Sequence, residues 1–215
     1  MFSSFLKRIN KIFSSKKDKY YQEVYSEDDI KENYSNKYIY HRIKLSLKDK
    51  TPKVSHRPIC PLDKSSFDQI NVSELNKNFG RARAKFCVQL GERKVKVHVY
   101  KNVYAGFKTS VTAHFYKKKI FNLRYDFKIE DKNDYIAIAD LIGLKYLNGE
   151  PIEFESEYLV DENNVVLSFT NEFSLILNYH NNSEIYTYIE HLVDLDEAEK
   201  KNKVYDRYKK LYRKL

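Results

Sequence analysis

The stretch between Gly80 and Phe127 constrains this chain more than any other, because its residues alternate in character. Over 94–101, Val95, Val97 and Val99 alternate with Lys94, Lys96, His98 and Tyr100. Similar runs follow over 109–116 and 120–127. Successive side chains leave a strand on opposite faces, so the pattern predicts three half-buried antiparallel strands. With Lys117, Lys118 and Lys119 as the turn between the last two, Phe115 is expected to face Phe121, Ala113 to face Leu123, and Val111 to face Tyr125. The other face then pairs Tyr116 with Ile120, His114 with Asn122 and Thr112 with Arg124. One face is apolar and the other mostly polar, as a sheet with one solvated side requires. Folding the first two strands about Gly106 sets His98 opposite His114 on the solvated side. Residues 81–90 alternate more loosely and turn at Gly91 and Glu92 into the first of these strands, adding a fourth.

Helical periodicity brackets this sheet. In 2–13, Phe2, Phe5, Leu6, Ile9, Ile12 and Phe13 fall within one arc of about 120° at a helical 100° per residue, and Lys7, Arg8 and Lys11 fill the remainder. Tyr38–Leu47 reads as a strand, with Ile39, Ile43, Leu45 and Leu47 on one side. Three of the chain's four prolines lie in 49–66, which reads as a linker between an N-terminal extension (1–48) and a core domain (67–183). Residues 66–79 predict a short helix closed by Gly80. Asp131 or Asn133 caps a helix over about 134–147, apolar around most of its circumference and ended by Asn148, Gly149 and Pro151. A second meander follows, with strands over 152–160, 165–170 and 173–179. Its first turn pairs Val160 with Val165, Tyr158 with Leu167 and Ser156 with Phe169, and points Glu153, Glu155 and Glu157 away together. Ser183 caps a C-terminal helix or helix pair (184–215), whose apolar spacing changes phase and predicts a kink near 199–203.

These elements specify an α+β fold: antiparallel meanders with helices on one face, and amphipathic helices at both ends. The order helix, meander, helix, meander resembles small α+β inhibitor and adaptor modules such as the repeats of β-lactamase inhibitory protein. The resemblance is one of architecture, and no residue carries over from it.

The formal net charge of +9 is unevenly distributed. Residues 81–128 carry 13 basic and 2 acidic groups, and residues 129–199 carry 2 basic and 17 acidic ones. If the acidic half lies beside the basic strands, much of this charge is compensated internally. No apolar run approaches the ~20 residues of a membrane span, and the two cysteines, Cys60 and Cys87, form no CxxC. Two free thiols in a reducing, cytoplasmic setting are expected, with Cys87 buried. A metal centre needs three or four converging ligands, and His98 and His114 have no third ligand near them in the pattern. GxSxG, P-loop, GxGxxG and HExxH motifs are lacking, so neither a metal, a cofactor nor an enzymatic activity is expected.

Two functional readings follow. In the first, the protein is a non-enzymatic interaction protein of the adaptor, inhibitor or assembly kind. Phe2, Phe5, Leu6, Ile9, Ile12 and Phe13 supply apolar area, and Lys7, Arg8 and Lys11 supply charge. Together they attach it to a protein partner, a second copy of itself, or the inner face of a membrane. In the second, Lys94, Lys96, His98, Tyr100, His114, Tyr116 and Arg124 share one exposed sheet face that binds nucleic acid, its basic groups holding phosphates and its aromatics stacking on bases.

Overall fold

A computed structural model describes residues 37–212, apart from 63–65, 105, 130, 172–173 and 182. In chain order the elements are α1 (Tyr38–Leu45), β1 (Thr51–Val54), a 3-10 turn (Phe67–Gln69), α2 (Val72–Phe79), β2 (Ala84–Leu90), β3 (Arg93–Tyr104), β4 (Phe107–Tyr116), β5 (Lys119–Phe127), α3 (Lys132–Tyr146), β6 (Glu157–Val160), β7 (Val165–Asn171), β8 (Leu175–Asn181) and α4 (Glu184–Tyr212). The architecture is α+β. All eight strands form one sheet in the order β1-β6-β7-β8-β5-β4-β3-β2. Every neighbouring pair is antiparallel except β1 with β6. The two expected meanders are therefore halves of one sheet, joined where β5 pairs with β8 (Leu123 with Tyr179, Tyr125 with Leu177).

Both faces of the sheet are covered. On one face Val111, Phe115, Ile120, Leu123, Leu167 and Phe169 form a core with α2, α3 and buried Ile59, Leu62 and Ile70. On the other, Val95, Val97, Val99 and Phe121 pack against Tyr40 of α1 and against Ile185, Tyr186 and Ile189 of α4. The terminal helix, expected as an appendage, is thus the lid of the second core. Ion pairs from Lys37 to Asp196 and from Lys44 to Glu190 tie α1 to α4. Gly91, at φ +56°, turns the β2–β3 hairpin directly against α4: a Cβ there would lie 2.4 Å from the Tyr188 hydroxyl.

The central register holds for Ala113 with Leu123, Val111 with Tyr125, His114 with Asn122 and Thr112 with Arg124. It fails next to the turn, where Phe115 pairs with Ile120 and Tyr116 with Lys119. The turn has two central residues, Lys117 (φ +48°) and Lys118 (φ +69°), rather than three. Two positive φ values match the twist of the flanking strands. The residue this releases is absorbed by a bulge, which makes consecutive Phe121 and Asn122 serve the same face. Phe115 and Phe121 therefore belong to opposite cores.

Other expectations are corrected in the same physical terms. Tyr38–Leu45 is a helix. Tyr40, Ile43 and Leu47 also satisfy helical spacing, and only that conformation lets Tyr40 and Ile43 both reach the core. Residues 49–66, read as a linker, contribute β1 to the sheet and Ile59, Cys60 and Leu62 to buried positions. The helix over 66–79 is split by Asn71, whose side chain caps α2. Asp131 is the cap of α3. That helix buries Ile138, Ile142 and Tyr146 on one side only and leaves Ile136 and Leu144 exposed. Strand β6 starts at Glu157, because residues 153–156 form a turn in which Ser156 donates to the Glu153 carboxylate, and the glutamate ladder does not form. Leu159 pairs with Leu167 there, one residue off the expected register. Helix α4 runs unbroken through 199–203. Residues 2–13 lie outside the described part of the chain.

Two substitutions test this geometry. Lys118→Gly relieves a left-handed φ in a non-glycine residue and should stabilise the protein by about 0.5–1 kcal/mol, read as a higher urea midpoint. Gly143→Ala should destabilise it by about 1–3 kcal/mol, because the added Cβ would meet the Glu150 carbonyl oxygen at 2.3 Å, and backbone cannot rotate away as a side chain can. Unchanged urea midpoints in both variants would contradict the turn and the helix–loop contact.

Candidate functional site

The seven residues expected on one solvated surface divide between the two faces. The β3–β4 hairpin joins Tyr104 to Phe107 through a two-residue loop, so His98 pairs with Ala113 and Val97 with His114. This is one residue off the expected fold about Gly106, and a one-residue slip exchanges faces. Lys94, Lys96, His98 and Tyr100 share the α2–α3 face, and His114 and Arg124 belong to the α1–α4 face. Tyr100 is fully buried: its hydroxyl donates to Asn76 of α2, its ring lies 5.8 Å from Phe79, and burial raises its pKa to about 12. Tyr116 lies at the rim of the second core beneath the Arg93 guanidinium.

Under α1 and α4 the sheet carries a buried polar layer, of which the alternation read Thr112, His114 and Asn122 as solvated. It comprises Thr112, His114, Asn122, Ser168, Asn178 and His180. Tyr40 crosses from α1 to share a 2.7 Å hydrogen bond with His114 Nδ1. The Asn122 amide donates to the Tyr186 hydroxyl of α4 at 3.3 Å, and the His180 ring lies 5.2 Å from the Tyr186 ring. Ser168 and Asn178 are direct cross-strand partners. Among the described residues, Ser168 Oγ, Asn178 Oδ1 and His180 Nε2 have no hydrogen-bond partner.

The electrostatics of this layer are those of neutral groups in a low dielectric. Burial, reinforced by the Arg124 charge, holds His114 down at about 3. Burial, reinforced by Lys44, holds His180 at about 4. Burial also drives the Tyr186 phenol far above its ordinary range. The layer joins helix to sheet. A cavity of about 450 Å³ lies elsewhere, between the end of β1 and the β6–β7 turn, lined by Ser55, His56, Arg57, Asp161, Glu162 and Asn164 among others. The Asp161 carboxylate there accepts from the backbone N–H groups of Ile59, Asn163 and Val165, which commits it to holding the two loops together.

What remains exposed on the opposite face, near the β2 edge, is a basic corner. Lys94, Lys96 and half-buried His98 on β3 stand beside Gln89, Cys87 and Lys85 on β2, each pair in direct cross-strand register. Exposed Arg81 and Arg83 lead into the same strand. Among the described residues, none of Arg81, Arg83, Lys85, Lys94 and Lys96 is joined to a carboxylate. The sequence pattern missed Lys85, Arg81 and Arg83 as companions of Lys94, although the odd-numbered polar positions of 81–89 signalled them. It also placed Cys87 inside, whereas Cys87 is exposed and Cys60 buried, both as free thiols. Among the described residues no group of three His, Cys, Asp or Glu side chains could hold a metal ion, and no helix is long and apolar enough to cross a membrane.

Both buried histidines bind protons less readily in the folded state than in the unfolded chain, where the usual value is about 6.5. Their contribution to stability is therefore complete above about pH 6.5 and is lost as pH falls toward 4 and then 3. The urea-unfolding free energy should fall by up to about 1.4 kcal/mol per pH unit for each histidine in that window. His180→Gln should flatten the profile between pH 6.5 and 4.5. A profile as steep as that of the unaltered protein would show that His180 is not buried in neutral form. Compared with known protein families, with characterised proteins and with solved structures, the chain matches none.

Proposed function

We propose that the protein is a non-enzymatic interaction module, of the adaptor, inhibitor or assembly kind, which engages a protein partner or a second copy of itself through the exposed second half of α4. One observation carries this reading. Helix α4 begins as a lid, with Ile185, Tyr186, Ile189 and Val193 buried, and then runs on past the body. Residues 197–205 are exposed around the whole helix circumference.

An isolated helix of that length is marginal in water, because the first turn is costly to nucleate. Here the docked half supplies the nucleus, and the ion pair between Glu199 and Lys203, one turn apart, supports propagation. Leu195 is exposed where the helix leaves the body, and Val204 and Tyr205 are exposed further along it. The projecting segment passes from acidic residues (Glu197, Glu199) to basic ones (Lys200, Lys201, Lys203) within seven positions. Apolar area supplies affinity in a helix-docking contact, and the charge order fixes direction. Residues 2–13 are assigned the same attaching role, toward a partner or the inner face of a membrane, by their basic amphipathic pattern.

A chain ending at residue 196 keeps the buried half of α4. It should unfold at the same temperature as the full protein and lose self-association in light scattering, or lose its captured partner in quantitative pull-down. The double variant Leu195→Glu, Tyr205→Glu should do the same without shortening the helix. If both variants retain the partner and oligomeric state of the full chain, the reading fails. It also fails if the shortened chain no longer unfolds cooperatively, since the exposed second half would then be part of the core.

A further inference from the structure

We propose that the exposed corner of the sheet formed by β2 and β3 is a docking surface for the phosphate backbone of single-stranded nucleic acid, held by Lys85, Lys94 and Lys96 with Arg81 and Arg83. This surface is separate from the projecting helix, and it uses only part of the set first read from the alternating pattern.

The reasoning starts from where charge is left unneutralised. Three cations on the α1–α4 side of the sheet meet carboxylates. Arg93 and Lys117 both reach Glu184 at the start of α4, and Arg124 reaches Asp126. On the other face α2 covers β3 only as far as Tyr100, so Lys94 and Lys96 stay in solvent. The acidic groups within 81–128 are Glu92, in the β2–β3 turn, and Asp126, which meets Arg124; neither is joined to Lys94 or Lys96, and the acidic half of the sheet is remote. Strand β6, with Glu157, lies five strand positions from β3. At about 4.8 Å per strand that is roughly 24 Å, some three Debye lengths at physiological salt. The half-buried imidazole of His98 reports the resulting field: its pKa is lowered by burial and then by Lys85 and Lys96.

Geometry favours nucleic acid over the other polyanions. Lys94 and Lys96 stand two residues apart on one face, about 7 Å along the strand, with Lys85 on the neighbouring strand. The result is a flat, fixed array of point charges. The large exposed apolar residues, such as Val54, Val103, Ile136 and Leu144, belong to other faces or elements, so the corner has nothing to insert into a bilayer. Tyr100 and Phe115, the aromatics of this face nearest the array, are buried and cannot stack on bases. Binding should therefore be independent of base sequence and governed by counterion release, with a salt slope of about −0.7 per phosphate contacted.

Cys87 provides a reporter at the centre of the array, since it pairs with Lys96 and is exposed, whereas Cys60 is buried. The test uses the full chain and a fluorescent 20-nucleotide DNA strand of mixed sequence. The expected result has three parts: the strand binds and slows alkylation of Cys87 by iodoacetamide; Lys85→Glu, Lys94→Glu, Lys96→Glu together weaken binding at least about tenfold and reduce the salt slope by about 2; and Lys48→Glu, Lys119→Glu, Lys132→Glu, exposed lysines on other elements with the same change in net charge, leave it nearly intact. The Lys→Gln triple at 85, 94 and 96 repeats the first variant without reversing charge, and circular dichroism checks the fold. Equal losses in the two Glu triples would reduce the effect to net charge and overturn the proposal. So would binding that leaves Cys87 unprotected, or retention on phosphatidylserine vesicles, dependent on Lys85, Lys94 and Lys96, by a protein that does not bind the strand.

Discussion

The bulge in β5 is the constraint on which the rest of the fold depends. A plain strand would send Phe121 and Asn122 to opposite faces. Because the Lys117–Lys118 turn is one residue shorter than the alternation suggests, both point to the same side. Phe121 then packs against Tyr40 and Tyr186, and Asn122 bonds the Tyr186 hydroxyl, so α1 and α4 have something apolar and something polar to hold. Phe115 stays in the opposite core with Ile120. Without the bulge Phe121 would leave that face, and α4 would rest on Val95, Val97 and Val99 without the aromatic contact that Tyr186 makes.

The second core is built differently from the first. Around Val111, Leu123 and Phe169 burial is almost wholly apolar. Beneath α4 it is half polar, with His114, Asn122, Asn178 and His180 in the sheet and two tyrosines above them. A buried polar group without a partner costs more than a made hydrogen bond returns. Such a layer therefore selects one position of the helices over others of similar apolar contact: sliding α1 would strand Tyr40 and His114 together. This makes the helix placement specific and acid-sensitive.

Much of the fold was legible in the sequence, and the losses have definite causes. Alternation over 94–127 identified β3, β4 and β5, and the central pairs Ala113–Leu123 and His114–Asn122, because period two is a property of the strand itself. It could not show a two-residue turn of lysines with positive φ, since lysine gives no signal for that conformation as glycine or asparagine would. It could not show that His114, Asn122 and Asn178 are covered, since a polar residue facing a helix and one facing water look alike in a pattern. Tyr38–Leu45 fits both strand and helical spacing over so short a run, and only the hydroxyl of Tyr40 reaching His114 separates them. Glu153, Glu155 and Glu157 alternate as a strand should, yet the first two lie in a turn held by the Glu153 and Glu157 carboxylates, a local competition that periodicity does not register.

The distribution of charge follows from the same two-sided arrangement. Helix α4 starts with Glu184 where β3 begins and β4 ends, so that it meets Arg93 and Lys117, and Arg93 also lies 4.0 Å from the Tyr188 ring. Neutralisation on that face thus comes with the lid. The other face has no equivalent at the β2 edge: α2 stops at Phe79 and the chain enters β2 through two exposed arginines. With five glycines in the whole chain, the backbone offers little material for a phosphate-cradling loop, so any anion held here must be held by side chains. A sheet that buried its polar face and left lysines at the edge of its apolar one inverts the ordinary expectation of which side is free to bind. The exposed lysines follow from where the helices end, and the seven-residue surface read from alternation alone was divided by the same cause.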